Sequence, residues 1–90
     1  VPLYEGKVTF SIENDLTCHI KATELDGSVC LFAQNTDMNR RSGTGTITVE
    51  GVNDGEAEVL EEDRTVEVKD GKLVDEFGPL EEHVYKISKQ

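Results

Sequence analysis

The feature of this sequence that most constrains its fold is a two-residue alternation of apolar and polar side chains, repeated in short blocks. In the first block Val8, Phe10 and Ile12 alternate with polar residues, and the block stops at Asn14-Asp15, a pair common in turns. Similar blocks recur within residues 16–23, 46–50, 57–59, 66–68 and 83–87. Because successive side chains on a strand point to opposite faces, this rhythm predicts half-buried strands joined by tight turns.

Two dipeptides mark the sharpest turns. Asp26-Gly27 and Asp70-Gly71 each lie between alternating blocks and are strong signals for two-residue hairpin loops. The blocks add up to about seven or eight strands at spacings near ten residues, which is typical of an all-β, immunoglobulin-like antiparallel sandwich. We expect residues 1–90 to form a single domain, and the start at Val1-Pro2 without an initiating Met suggests a piece of a larger protein.

The interior and the longest loop are also indicated by the sequence. The unbroken apolar run 29–33 suits a central strand covered on both faces, and Phe10 and Phe32 are expected in the core. Residues 35–45 lack an apolar period and carry turn formers, so they are expected to form the longest loop. Residues 77–79 are expected in the connection before the last strand.

The two cysteines are placed by the first hairpin. With Asp26 and Gly27 as loop residues, Thr23 faces Cys30, and Cys18 faces a residue farther along the opposite strand, Asn35. The two sulfur atoms would then lie roughly 16 Å apart along the ladder, beyond the reach of a disulfide. We therefore expect two free and largely buried thiols.

The charge balance narrows the choice of partners. Asp and Glu outnumber Lys and Arg by 19 to 9, and the formal net charge is −10. Such a chain repels phosphate backbones and anionic lipid, so neither nucleic acid nor a membrane is expected as a partner. The acidic residues are spread along the chain as a solvated surface. The basic pair Arg40-Arg41 in the longest loop is a possible contact for a partner carboxylate, or else a solvated loop tip.

Metal and catalytic sites are not favoured by the spacing of the potential ligands. Zinc donors are present, but Cys18 and His19 are neighbours on a strand and point to opposite faces. The acidic stretch 54–63 lacks the calcium-loop pattern, and its Glu56 and Glu58 alternate with apolar residues on a strand. No carboxylate pair or nucleophile motif is distinctive. We predict no metal, no cofactor and no catalytic residue, and we expect both histidines to be packed or hydrogen-bonded strand residues.

Few aromatic side chains are available to bind sugar. The chain has no Trp, and once Phe10 and Phe32 are placed in the core, only Tyr4, Phe77 and Tyr85 remain. Sugar-binding sandwiches usually offer exposed aromatic platforms, so a dedicated carbohydrate-binding module is disfavoured. Tyr4 is kept as a possible ligand contact.

The C-terminal stretch 75–87 resembles the closing segment of small β-sandwich domains that follow the catalytic barrel in many glycoside hydrolases. Those domains commonly end in Asp-x-Phe-x-Pro followed by His-Val-Tyr, and here the matching residues are Asp75, Phe77, Pro79 and the run 83–85. The run 29–35 and the turn Asp70-Gly71 are compatible with the same pattern. In this segment Phe77 can close one end of the sandwich and Pro79 can fix the bend before the last strand. That strand should show His83 and Tyr85 on one face.

The resemblance implies a non-catalytic accessory domain of a carbohydrate-active enzyme. Such a domain packs against the catalytic domain of the same polypeptide and stabilises it, with Phe77, Pro79, His83 and Tyr85 in structural or docking roles. A monomer is expected separately. The resemblance is compatible with a secreted or cell-surface enzyme, but two free cysteines are not expected of every secreted protein, so the sequence leaves the compartment open. The alternative is an independent immunoglobulin-like module that binds carbohydrate or protein.

Overall fold

The computed structural model describes residues 3–90, and strands dominate this part of the chain. The strands are β1 (Val8–Ile12), β2 (Cys18–Leu25), β3 (Ser28–Asn35), β4 (Gly43–Val49), β5 (Gly55–Val59), β6 (Arg64–Val68), β7 (Lys72–Phe77) and β8 (Glu82–Ser88). They form a three-stranded sheet in the order β1-β4-β7 and a five-stranded sheet in the order β2-β3-β8-β5-β6. All paired strands are antiparallel. The prediction of an all-β sandwich with seven or eight strands is confirmed, with eight strands in residues 3–90.

The two Asp-Gly turns have the geometry that their sequence predicts. Asp26 and Gly27 have φ values of 48° and 79°, and Asp70 and Gly71 have φ values of 52° and 75°. Positive φ at both central residues is the turn conformation that matches the twist of a hairpin. The first turn joins β2 to β3 within one sheet, whereas the second carries the chain from β6 in one sheet to β7 in the other.

The register of the β2–β3 hairpin is also confirmed. Thr23 pairs with Cys30, and Cys18 pairs with Asn35. Cys18 and Cys30 are free thiols, and both are half-buried rather than largely buried. Cys18 faces the interior, where its thiol donates to the Phe10 carbonyl at 3.6 Å, while Cys30 lies on the opposite face of the sheet.

The core lies between the inward faces of the two sheets. Its largest fully buried side chains are Tyr85 and Phe77, and the aliphatic residues of both sheets pack around them. The buried hydrophobic residues are Ile12, Leu16, Val29, Leu31, Ala33, Ile47, Val49, Val52, Ala57, Val59, Val68, Leu73, Phe77, Tyr85 and Ile87. Burial of apolar surface on this scale is the main favourable contribution to folding.

The predicted loop 35–45 is too long at both ends. β3 runs through Asn35 and β4 begins at Gly43, so the connection is residues 36–42. Glycine is uncommon in strands, which explains the incorrect boundary. Here Gly45 is required because the rings of Phe10 and Phe77 occupy the space of a side chain: a Cβ at this position would lie 2.8 Å from both.

The run 29–33 is covered well on one face only. Its odd-numbered residues are buried between the sheets, while Cys30 and Phe32 are half-buried on the outer face. The expectations of a strand covered on both faces and of Phe32 in the core were therefore wrong. On that outer face Phe32 pairs with Val84 and its ring approaches His19, with 6.4 Å between centroids. An apolar run can lie on a sheet with one partly solvated face when aromatic and aliphatic neighbours shield it.

No helix within residues 3–90 is long and apolar enough to cross a lipid bilayer.

Candidate functional site

A cluster of polar side chains lies near one end of the sandwich, where β6, β7 and β8 meet. It comprises Glu62, Arg64, Asp75, His83 and Tyr85 and is called the polar cluster below. Arg64, Asp75 and Tyr85 point inward because each shares the alternation of buried residues on its own strand. Since β7 belongs to one sheet and β6 and β8 to the other, these contacts join the two sheets.

Asp75 is at the centre of the polar cluster. Its two carboxylate oxygens accept a bidentate pair from Arg64, with Nη1 to Oδ1 at 3.1 Å and Nη2 to Oδ2 at 2.8 Å. The Tyr85 hydroxyl donates to Oδ2 at 2.7 Å, and the Glu76 backbone N–H donates to Oδ1 at 2.9 Å. Four donors therefore surround this carboxylate, which is the arrangement that a buried negative charge needs.

The same contacts set the proton affinities. Burial alone would raise the pKa of Asp75, but the hydrogen bonds from Arg64 and Tyr85 bring it below the usual aspartate value. Burial and the bond to Asp75 raise the pKa of the Tyr85 hydroxyl far above its usual value. The bond to Asp75 also raises the pKa of Arg64. At neutral pH the cluster thus holds an ionised Asp75, a protonated Arg64 and a neutral tyrosine.

The ring of His83 is buried, with 4% of its side chain exposed, and both of its nitrogens face acceptors. Nδ1 bonds to the Glu62 carboxylate, and Nε2 bonds to the Glu76 carbonyl at 2.9 Å. The Glu81 carboxylate also approaches Nε2, at 3.2 Å, while Arg64 Nη2 lies 3.5 Å from Nδ1. A neutral imidazole has one N–H, so only the doubly protonated ring can donate in both directions.

The charge of His83 follows from this geometry. Burial alone would lower the pKa of His83, but the bond to Glu62, the bond to the Glu76 carbonyl and the charge of Asp75 raise it above its usual value. Burial would raise the pKa of Glu62, but its hydrogen bonds with His83 and Arg64 lower it. The ring also packs edge-on against Phe77, with 4.8 Å between centroids. His83 is therefore a packed residue, hydrogen-bonded through both ring nitrogens, whose protonated form is favoured by its surroundings and which ties β8 to the turn before β6.

The four residues expected in structural or docking roles divide into three interior residues and one surface residue. Phe77, His83 and Tyr85 have exposures of 1%, 4% and 0% and face the interior, so they are not available for docking. Phe77 also lies at the end of β7 rather than in the connection that follows. Its ring is 5.1 Å from that of Phe10. Pro79 is exposed in the turn 78–81 before β8.

The three possible ligand contacts lie apart from the polar cluster. Tyr4 is half-buried beside the β2 edge, and its hydroxyl donates to the Glu50 carbonyl. Arg41 folds back onto Asp37 with Nη2 to Oδ1 at 2.8 Å and Nε to Oδ2 at 3.1 Å. Arg40 is exposed at the tip of the connection 36–42. The basic pair is thus divided into one structural and one surface residue.

Within residues 3–90 no group of three or more His, Cys, Asp or Glu side chains is placed to hold a metal ion. His19 is exposed on the outer face of β2, with β3 between it and β8, on which His83 is buried and points inward. Glu56 and Glu58 are exposed on β5, as their alternation with apolar residues predicts.

Sequence reasoning missed the partners of the closing segment. Arg64 was not singled out, and Asp75 was named only as part of the closing-segment motif. Both occupy inward positions of the alternation, Arg64 with Val66 and Val68 on β6 and Asp75 with Leu73 and Phe77 on β7. A charged residue at an inward position is a signal that an opposite charge faces it, since an unpaired buried charge is strongly unfavourable.

The chemistry of the polar cluster is that of a structural link. The four donors to Asp75 come from the protein itself, and the nearest surface depression, lined by Glu58, Glu61, Asp63 and Arg64, is open. Comparison with protein-family models, with curated proteins and with solved structures gave no match to this chain.

Proposed function

We propose that this chain is a non-catalytic, immunoglobulin-like accessory domain of a carbohydrate-active enzyme of the glycoside hydrolase type. In this role it packs against the catalytic domain of the same polypeptide and stabilises it. The proposal starts from the resemblance of residues 75–87 to the closing segment of such domains. The observation that supports it best is that the distinctive side chains of that segment, Asp75, Phe77, His83 and Tyr85, contact one another or shared neighbours inside the sandwich.

The contacts of these side chains explain how a closing segment of this kind would stabilise a domain that has no catalytic activity. Asp75 and Tyr85 lie on different sheets and are joined by a 2.7 Å hydrogen bond. Arg64 adds a bidentate bond to the same carboxylate. Phe77 fills the space between Phe10 and His83. Cross-links between sheets hold the domain rigid, and a rigid module gives its neighbour a fixed surface to pack against.

An independent carbohydrate- or protein-binding module is the second candidate. One observation favours it: Leu3 and Tyr4 line a surface depression together with Ile20 and Ala22 at the β2 edge. An aromatic ring beside an apolar depression is a common element of ligand sites. Tyr4 is half-buried, and its hydroxyl is already bonded to the Glu50 carbonyl.

Two measurements on the purified chain separate these functions. The first is affinity electrophoresis and calorimetric titration with a panel of soluble polysaccharides, using Tyr4→Ala as the test variant and Phe32→Ala as the matched control. The second mixes the chain with the domain encoded next to it in the same polypeptide, expressed separately, and follows the thermal midpoint of that domain.

The accessory role predicts no saturable glycan binding and a rise of several degrees in the midpoint of the neighbouring domain, because a ligand that binds only the folded state stabilises it. Saturable glycan binding that Tyr4→Ala abolishes and Phe32→Ala leaves intact would favour the independent module. Hydrolysis of chromogenic glycosides by the chain alone would refute both.

A further inference from the structure

The turn between β5 and β6, residues 60–63, has a backbone conformation that must be held from outside the turn. Glu61 and Asp63 have φ values of 66° and 56°. Residues with a side chain adopt positive φ reluctantly, and such conformations persist where surrounding contacts maintain them. The hydrogen bond within the turn, from the Glu62 N–H to the Val59 carbonyl, is long at 3.3 Å. The conformation of the turn therefore depends on its contacts with the rest of the sandwich.

The side chain of Glu62 supplies such a contact. Its carboxylate bonds to Nδ1 of the His83 ring and accepts from Arg64 Nε at 3.0 Å. The side chain of Glu62 is 31% exposed, whereas that of His83 is 4% exposed. The bond to Nδ1 thus joins a surface turn to a buried ring on β8.

Charged and titratable groups from several elements face the His83 ring. They are Glu62 in the turn 60–63, Arg64 on β6, Asp75 on β7, Glu81 in the turn 78–81 and the neutral Tyr85 on β8. The Glu76 carbonyl of β7 also faces the ring, at 2.9 Å from Nε2. Since acceptors lie at both nitrogens, only the doubly protonated ring can donate to both sides.

The neutral ring keeps one N–H, and its surroundings favour Nε2 as the position of that proton. There it donates to the Glu76 carbonyl and lies 3.9 Å from the Asp75 carboxylate and 3.2 Å from that of Glu81. The carbonyl cannot turn away easily, because its residue is paired in the β4–β7 ladder. Nδ1 then carries a lone pair, which the Arg64 guanidinium, 3.5 Å away, can approach. The Glu62 carboxylate, by contrast, meets that lone pair as a second acceptor and is repelled.

We propose that the turn 60–63 is a pH-sensitive latch, closed while both ring nitrogens of His83 carry protons and released when Nδ1 loses its proton. On release Glu62 moves toward solvent, and the backbone of the turn relaxes. The link between the two sheets stays in place, because the bidentate pair of Arg64 with Asp75 does not involve the ring. The sandwich therefore remains folded while one turn becomes mobile.

The pH range of the latch follows from the same contacts. Burial alone would lower the pKa of His83, but the bonds to Glu62 and to the Glu76 carbonyl raise it above the ordinary value of about 6.5. A raised pKa in the closed state means that closure is fully favoured below about pH 6.5 and is lost as pH rises through the closed-state value. Burial would raise the pKa of Glu62, but its hydrogen bonds with His83 and Arg64 lower it, so this carboxylate stays ionised throughout.

The test follows the ring and the turn in the 90-residue chain by nuclear magnetic resonance from about pH 5.5 to about pH 9. Nitrogen shifts of the imidazole report its charge and its tautomer, and carbon-detected relaxation reports the mobility of residues 60–63 without relying on amide protons. We expect the order parameters of the turn to fall from about 0.85 to below about 0.6, with the midpoint of the ring titration. The neutral ring should carry its proton on Nε2.

Two variants separate the latch from a general effect of charge. Glu62→Gln keeps the shape of the side chain, and its amide can accept from a protonated nitrogen or donate to a bare one. In this variant the turn should stay rigid over the whole pH range, and the ring should titrate at a lower pH. Glu61→Gln neutralises an exposed carboxylate of the same turn and should leave the pH-dependent release unchanged. Far-ultraviolet circular dichroism establishes that both variants are folded.

Four results would overturn the latch. They are order parameters of the turn that stay constant while the ring titrates, a ring that remains charged to about pH 9, a neutral ring protonated on Nδ1, and the same loss of order in Glu62→Gln. Loss of order in all strands at the same pH would mean global unfolding and would refute it as well. None of these results bears on the accessory role, because the measurement involves no neighbouring domain.

Discussion

Replacing Tyr85 by phenylalanine removes one hydroxyl from the centre of the polar cluster and leaves the ring in place. The lost bond to Asp75 is charge-assisted, a class that contributes about 1.5–3 kcal/mol. Asp75 keeps three other donors, so the expected loss lies in the lower half of that range, at about 2 kcal/mol. For a domain of this size, that corresponds to a fall of roughly 8–16 °C in the thermal midpoint.

The assay is urea unfolding at pH 7, followed by far-ultraviolet circular dichroism because the chain has no tryptophan. Tyr4→Phe is the matched control: its hydroxyl also donates a hydrogen bond, but at the surface, and its removal should change stability by less than about 0.5 kcal/mol. If Tyr85→Phe were as stable as the control variant, the structural role assigned to the polar cluster would be wrong.

Tyr85→Phe should also change how the free energy of unfolding depends on pH in the acid range. The folded-state pKa of Asp75 is depressed, so its contribution is present above the unfolded pKa and is lost as pH falls through the folded value. Loss of the Tyr85 donor raises that folded value, so acid unfolding should begin at a higher pH. An unchanged acid midpoint would show that the hydroxyl does not stabilise the carboxylate.

Three further predictions concern other parts of the fold. The pKa of His83 is raised in the folded state, so the contribution of its charge to the free energy of unfolding should be complete below about pH 6.5 and be lost as pH rises through the folded pKa. His83→Gln should therefore make the free energy of unfolding less dependent on pH in that range. An unchanged pH dependence in the variant would refute this prediction. Gly45→Ala should lower the free energy of unfolding in urea by about 1–3 kcal/mol, because the new Cβ would overlap two phenylalanine rings. Gly78→Ala is the control and should have a much smaller effect, since a Cβ has room there. Equal losses of stability in the two variants would contradict this packing. Thiol titration of the denatured chain without reductant should count both Cys18 and Cys30, and a count of zero would mean that they pair.

The strands and turns could be predicted because local chemistry determines them. The Asp26-Gly27 turn fixes the register of its hairpin within a few residues, and that register proved correct along the whole of β2 and β3. Gly45 shows where such reasoning fails. Its place in β4 depends on two aromatic rings from distant strands, which no local pattern reveals.

The polar cluster was beyond local prediction for the same reason. Arg64 and Asp75 are 11 residues apart in sequence and meet only because the Asp70-Gly71 turn carries the chain from one sheet to the other. Asn35 was expected in a loop, yet it is a buried strand residue whose side chain bonds to the carbonyl of Gly78, 43 residues farther along the chain. Phe32 was assigned to the core from its apolar neighbours, although the pairing of β3 places it on the outer face.

The central claim is that the polar side chains of the closing segment bond to one another in the interior. Nuclear magnetic resonance of the chain tests it directly, through the labile protons of the Tyr85 hydroxyl and the His83 ring at pH 7. Buried, hydrogen-bonded protons exchange slowly with water, so we expect separate resonances for the hydroxyl and for both ring N–H groups. Absence of all three, together with a His83 ring that titrates near the ordinary value of about 6.5, would contradict the account.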